Sequence, residues 1–225
     1  MELDVQPLLL APGEGEAVTD RRERTLRIKA ETEQLIVTWF RYEPGQKGPD
    51  PHIHRHHTDA FYLLEGDLEF TLGPGLETST AAPGSFVAAP PGVVHTFRNA
   101  SDSTAIFLNV HAPSMRFGDH IRGRIEDFDQ LDPPADGGRS LEDAVLSGPG
   151  DGERIEGRST TIVKAGGDDC DGQLAVYETI LPPDNTGPPL HFHRRTAETF
   201  LVLDGTFEFT LGDEHAILEP GFFAL

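Results

Sequence analysis

With 225 residues the chain is long enough for one large or two modest domains, each with a hydrophobic core. Its 18 lysines and arginines stand against 38 aspartates and glutamates, a formal charge of −20, so phosphate backbones and anionic lipid surfaces are repelled and neither nucleic acid nor a membrane is an expected partner. A single cysteine excludes an intramolecular disulfide. The amino terminus carries Glu2 and Asp4 instead of a basic leader, and no apolar stretch reaches membrane-spanning length, so a cytoplasmic protein is expected.

Along the chain, Arg21-Arg22-Glu23-Arg24 is the one basic run, and it reads as a solvated hairpin tip. Further on, short apolar segments alternate with proline- and glycine-rich turns, the pattern of all-β sandwiches and barrels. Strands are predicted at 61–64, 68–72, 85–88, 94–97 and 105–110. Glu65-Gly66-Asp67 separates the first two by a tight turn, with the glycine supplying a positive φ. Alternation in 68–72 puts Leu68, Phe70 and Leu72 on one face and Glu69 and Thr71 on the other. Trp39, Phe40, Phe61, Phe97 and Phe107 are expected in the barrel core. Phe117, Ile121, Ile125 and Phe128 recur at helical spacing and predict a short helix on a barrel face, although Gly118 and Gly123 oppose it. A turn-rich linker follows at 132–138, giving a first barrel over 1–130, a linker over 131–144 and a second barrel over 145–225. Cys170 lies in the acidic run Asp168-Asp169-Cys170-Asp171, which should raise its thiol pKa, and it reads as a loop residue without catalytic duty.

The strongest signal is internal self-similarity. The segment His52-Ile-His54-Arg-His-His-Thr-Asp59-Ala-Phe-Tyr-Leu-Leu-Glu-Gly66 recurs 139 positions on as His191-Phe-His193-Arg-Arg-Thr-Ala-Glu198-Thr-Phe-Leu-Val-Leu-Asp-Gly205. Both copies run on to a Glu-Phe-Thr-Leu-Gly tail, and Pro83-Gly84-Ser85-Phe86 answers to Pro220-Gly221-Phe222-Phe223. The chain is a duplication. Leu225 corresponds to about position 88 of the first copy, so the second barrel is expected to be incomplete.

His52 and His54 are two residues apart, so on a strand they point to the same side. Asp59 follows after a polar loop, and His95 stands just beyond the turn Pro90-Pro91-Gly92. Three imidazoles and one carboxylate suit a first-row divalent ion, which can keep positions open for water, substrate or oxygen. His191, His193 and Glu198 form a second three-ligand set whose fourth member has no counterpart before Leu225, so one metal per chain is expected. His56 and His57 read as solvated loop residues, and His111 as either a pocket wall or a surface position. His120 and His215 carry no signal, and Asn99 is expected to tie down a turn.

Taken together, these motifs resemble the cupin superfamily, whose first motif is a glycine, His-x-His, four residues, an acid, six residues and a glycine. His52, His54, Asp59 and Gly66 fit that spacing, and Gly84, Pro90, Gly92, His95 and Asn99 fit the second motif without adjustment. The family usually has glutamate where Asp59 stands; the second repeat keeps it as Glu198. With the duplication the chain resembles the bicupins, and quercetin-dioxygenase-like enzymes among them. The resemblance implies two double-stranded β-helix (jelly-roll) barrels with the metal on the three histidines and the acid, the ion being Fe, Mn, Ni, Co, Cu or Zn. It further implies an oxidoreductase, an oxygen-dependent dioxygenase of a small aromatic or enol-like substrate. Asp59 is then a direct ligand, a ligand through a water, a group that only orients a histidine or, left unligated, a catalytic base. Two other readings stay open: a metal-dependent isomerase or decarboxylase, and a non-catalytic small-molecule binding or sensing module. Homo-oligomerisation is left open as well.

Overall fold

The computed structural model describes residues 6–225, so Glu2 and Asp4 lie outside the described residues. In chain order the strands are β1 (Leu9–Leu10), β2 (Glu16–Asp20), β3 (Arg24–Glu31), β4 (Ile36–Tyr42), β5 (Thr58–Glu65), β6 (Leu68–Leu72), β7 (Glu77–Ala81), β8 (Phe86–Ala89), β9 (His95–Arg98) and β10 (Ala105–Ala112). A five-residue helix, α1 (Phe117–Ile121), comes next. The second repeat supplies β11 (Val145–Ser147), β12 (Glu153–Glu156), β13 (Thr160–Ala165), β14 (Val176–Ile180), β15 (Phe200–Leu201), β16 (Phe207–Leu211), β17 (Glu214–Leu218) and β18 (Phe223–Ala224). The fold is two tandem all-β jelly-roll units, the second incomplete. No helix among the described residues is long and apolar enough to cross a membrane.

The first barrel is a seven-stranded sheet, in the order β11-β8-β5-β10-β4-β3-β2, facing a three-stranded sheet, β7-β6-β9. Period-two patterning drives its core: Leu68, Phe70 and Leu72 are buried, while Glu69 and Thr71 between them are half-buried. Phe61 lies 5.0 Å from Phe70 and 4.8 Å from Phe97 between ring centroids, and Phe40 stacks on Phe107 at 5.1 Å. Trp39 departs from expectation. It lies on the opposite face of β4, half-buried against the second repeat, because alternation along β4 assigns the interior to Thr38, Phe40 and Tyr42.

Gly66 takes a φ of 64°, as the turn demands. The turn does not make a hairpin, however: β5 pairs with β8 and β10, and β6 with β7 and β9. Gly66 is the corner where the chain leaves one sheet for the other, and a side chain there would strike the Thr104 carbonyl. Arg21 to Arg24 do form a hairpin tip, with the Arg21 and Arg24 backbones bonded to each other in both directions.

The repeats exchange strands. β11, which opens the second repeat, joins the first barrel through Val145↔Ala88 and Ser147↔Phe86. β1, its counterpart at the start of the first repeat, joins the second through Leu9↔Ala224 and Leu10↔Phe223. Leu35, Val37, Leu108 and Phe223 are buried between the two units.

The helix predicted over 117–128 stops at Ile121. Gly123 adopts a left-handed φ of 69°, which ends the helical path. Arg122 is pinned to Glu16 and Glu31 at 2.6 and 2.7 Å. The chain then doubles back, so that Leu131 pairs with Ile53 beside the first histidines.

Candidate metal centre

His52, His54, Asp59 and His95 are all buried, and their ligand atoms lie within 4.8 Å of one another. Backbone pairing creates this convergence: His52 and His95 form an antiparallel bridge, N–H to carbonyl both ways at 3.1 and 2.9 Å. Asp59 enters at the start of β5, opposite His111 of β10.

Each of the three imidazoles has its Nδ1 on a backbone carbonyl: His52 on Asp50 at 2.8 Å, His95 on Val93 at 2.9 Å and His54 on Asp129. A carbonyl can only accept, so Nδ1 carries the proton in every ring and Nε2 presents a lone pair. Those lone pairs face the Asp59 carboxylate, whose Oδ2 is 3.2 Å from His95 Nε2 and 3.7 Å from His54 Nε2. His54 Nε2 is buried without a hydrogen-bond partner. With Nδ1 so engaged, a neutral ring leaves its Nε2 lone pair free for a cation, while the other oxygen of Asp59 is held by Asn109.

A proton on an imidazole is opposed by burial and by the neighbouring rings, which together push His52 down to about 3. Burial alone would raise the Asp59 pKa, but His111, His54 and His95 outweigh it and hold the carboxyl well below the usual range. Neutral imidazoles and an ionised carboxylate are the protonation states a divalent metal needs. The donor set of three nitrogens and one oxygen fits such an ion.

Asp59 is short of the usual glutamate by one methylene, yet its Oδ2 already stands among the imidazoles. Its other oxygen, Oδ1, accepts from Asn109 Nδ2 and lies 3.5 Å from His111 Nε2. Asn109 also donates to the Ala60 carbonyl at 3.2 Å, so the carboxylate is held in one orientation.

Three residues of the site, His57, Asn109 and Asp129, went unrecognised in the sequence, and His111 was left open between a pocket wall and a surface position. His57, expected in solvent, is fully buried, whereas its neighbour His56 is exposed as expected. His57 Nδ1 donates to Asp129 Oδ2 at 3.2 Å, and its Nε2 lies 2.9 Å from His111 Nδ1. His111 is buried too, with Phe117 of α1 stacked on it at 3.7 Å and its Nε2 3.2 Å from Asn109 Oδ1. The His54, His57 and His111 nitrogens also form a close group. Those of His57 and His111 are already committed to Asp129, to each other and to Asn109. A signal for Asn109 was present, since it shares one face of β10 with Phe107 and His111 by alternation. His57 and Asp129 had none. Asn99 does tie down its turn, donating to the Tyr42 and Ser103 carbonyls at 3.0 and 2.7 Å. Cys170 is buried, and burial together with Asp169 and Asp171 pushes its thiol up to about 12.

In the second repeat His191, His193 and Glu198 also come together, but all three are exposed. His193 Nε2 turns onto Glu198 at 3.2 Å.

Two facing antiparallel sheets around a buried His/Asp cluster, followed by a second β unit that carries an exposed His/Glu copy of it, define a double-barrel fold. A model of the cupin domain matches residues 38–111 and 177–225, more than half of the chain, and the chain belongs to the cupin family as a bicupin. Over 129 residues it is 32% identical to the quercetin 2,3-dioxygenase of Bacillus subtilis (strain 168), an alignment covering 53% of this chain and 37% of that protein. The chain thus spans little more than a third of that relative's length. Among solved structures, the putative glyoxylate-induced protein of Pseudomonas aeruginosa aligns with the whole chain and 81% of its own, with a TM-score of 0.65 at 16% identity. KdgF from Halomonas sp. aligns with 45% of this chain and 89% of its own, with a TM-score of 0.41 at 22% identity.

Proposed function

We propose that this bicupin is a metal-dependent dioxygenase of a small aromatic or enol-like substrate, with one divalent transition-metal ion per chain held by His52, His54, His95 and Asp59. The observation that carries the metal is the convergence of three imidazole Nε2 atoms and the Asp59 carboxylate, all buried and within 4.8 Å of one another. The oxygen chemistry is supported by the 32% identity to quercetin 2,3-dioxygenase. When bound, the ion supplies Lewis acidity toward a substrate oxygen and a redox centre for dioxygen.

The chain's own residues set the conditions for that chemistry. Imidazoles fixed through Nδ1 direct their Nε2 atoms at the ion. Asp59, locked by Asn109, acts in this reading as a ligand and not as a free base, and its charge offsets that of the ion. Phe117 and Phe128 pack on His111 and His57, at 3.7 and 5.4 Å between centroids, and keep water from that side of the pocket.

The test is oxygen consumption by protein loaded in turn with iron, manganese, nickel, cobalt and copper, offered flavonols, catechols and other enolisable aromatics. Uptake stoichiometric with substrate loss is expected for at least one metal. Substrate loss without oxygen uptake would replace the dioxygenase by an isomerase or decarboxylase. No turnover by any fully loaded form would leave a binding or sensing module.

A further inference from the structure

Two of the three candidate metal-binding histidines are oriented by their own strands. His52 and His95 each use a carbonyl two residues earlier, that of Asp50 and that of Val93. His54 has no such local partner: the carbonyl two residues before it, on His52, is used in the backbone bridge, where it accepts from His95 N–H. Its Nδ1 is met instead by the backbone carbonyl of Asp129, 75 residues away in sequence.

The Asp129 side chain fixes that carbonyl in place. Its Oδ2 accepts from the Arg55 N–H at 3.0 Å, the His56 N–H at 2.9 Å and His57 Nδ1 at 3.2 Å. One residue thus fastens the loop between His54 and Asp59 with its carboxylate and sets the His54 ring with its carbonyl. The Ile53↔Leu131 backbone pair, bonded both ways at 2.9 and 3.0 Å, aligns the two segments. Phe128 lies 5.7 Å from His54 and 5.4 Å from His57 between ring centroids, closing the other side.

The histidines of the second repeat differ in the same respect. His191 keeps the local arrangement, with Nδ1 on the Pro189 carbonyl at 2.8 Å. His193, the counterpart of His54, has no carbonyl on its Nδ1 among the described residues, and it is exposed and turned onto Glu198.

We infer that Asp129 is the positioning residue of the metal centre: it fixes the tautomer and direction of His54 and immobilises the 55–57 loop, so that the site is ready for a metal before one arrives. This rests on the metal reading of the same site. Partners that orient a metal-binding histidine typically change affinity by about 10–100-fold when removed.

The experiment measures cobalt(II) affinity by chelator competition and the visible ligand-field spectrum of the bound ion, in wild type, Asp129→Ala and Asp129→Asn. Asparagine can place its carbonyl oxygen where Oδ2 stands and keep all three N–H acceptances, so it is the conservative rescue. Asp129→Ala should weaken cobalt binding by about 10–100-fold and shift or weaken the visible bands. Asp129→Asn should stay within about 3-fold of wild type with the wild-type spectrum, by the same reasoning. Wild-type affinity and spectrum in Asp129→Ala would overturn the inference, as would an equal loss in both variants. Should Asp129→Ala not fold, Asp129→Ser, with one acceptor of shorter reach, is read in the same way. Failure of the metal reading itself looks different: wild-type protein would not bind cobalt, or His95→Ala would bind it as wild type does.

Discussion

Phe61 and Phe200 occupy the same place in two copies of one motif, and they show how differently the copies are used. Phe61 is 1% exposed and Phe200 is 42% exposed. Each keeps its partner from the same repeat pattern, Phe70 at 5.0 Å and Phe209 at 5.1 Å. What differs is the cover. Phe97 of β9 and Phe107 of β10 close over Phe61 at 4.8 and 6.1 Å, and no described strand does so over Phe200. The histidines follow the same rule: His54 is buried on β10's side of the barrel, and His193 has 44% of its side chain exposed. A motif places ligands near one another. The strands that cover it decide whether they are dry and fixed.

Alanine at the two phenylalanines should give the largest contrast. Phe61→Ala opens a cavity in a closed core and should cost about 3–5 kcal/mol, whereas Phe200→Ala at a half-open position should cost under about 1 kcal/mol. Paired urea titrations check this, and equal costs would mean that the second unit is closed in solution.

Ligand removal comes next. His95→Ala should lower metal affinity by at least about 100-fold, beyond the loss of an orienting partner alone, while His193→Ala should leave metal per chain near its wild-type value. Elemental analysis after dialysis, with anomalous scattering to locate the ion, measures both. An ion seated on His191, His193 and Glu198 would erase the distinction between the repeats.

Asp59→Asn should then weaken binding by about 10-fold, since it removes the charge but keeps the shape. Asp59→Glu adds a methylene to a fully buried position already bonded to Asn109, so the metal-free protein should lose about 1–3 kcal/mol. Thermal melts with and without metal separate the two effects. An Asp59→Glu variant as stable as wild type would show that the pocket has room for the longer acid.

The smallest expected effect concerns the part of the second repeat that is covered. Cys170 is fully buried with Ala165 against Ala60, Phe86 and Ala88 of the first barrel, and its thiol is pushed up to about 12. At pH 8 it should resist alkylation until the protein unfolds, even though nearby strands of its own repeat are open. Rapid labelling of the native protein would mean that the packing between repeats is loose.

Much of this protein is legible from local sequence, because the signals are short-range. Alternation in 68–72 sets a buried face, Gly66 permits a corner, and the spacing from His52 to Asp59 and from Gly84 to Asn99 marks the pocket and its family. The duplication declares itself by identity alone. Other features depend on partners far along the chain. No local rule says that β1 and β11 are exchanged between repeats, that Trp39 faces outward, or that a four-residue loop buries His57 while exposing His56. Periodicity suggested a helix through Phe128. The chain instead turns at Gly123 and brings Asp129 back onto a histidine 75 residues earlier, since the unpaired Nδ1 of His54 and the free N–H groups of the 55–57 loop need an acceptor that their own strand does not offer. The sequence by itself determined the candidate ligands and their barrel. The tertiary structure decided which of the two ligand sets is enclosed, because burial and hydrogen-bond partners come from segments that meet only in the folded chain.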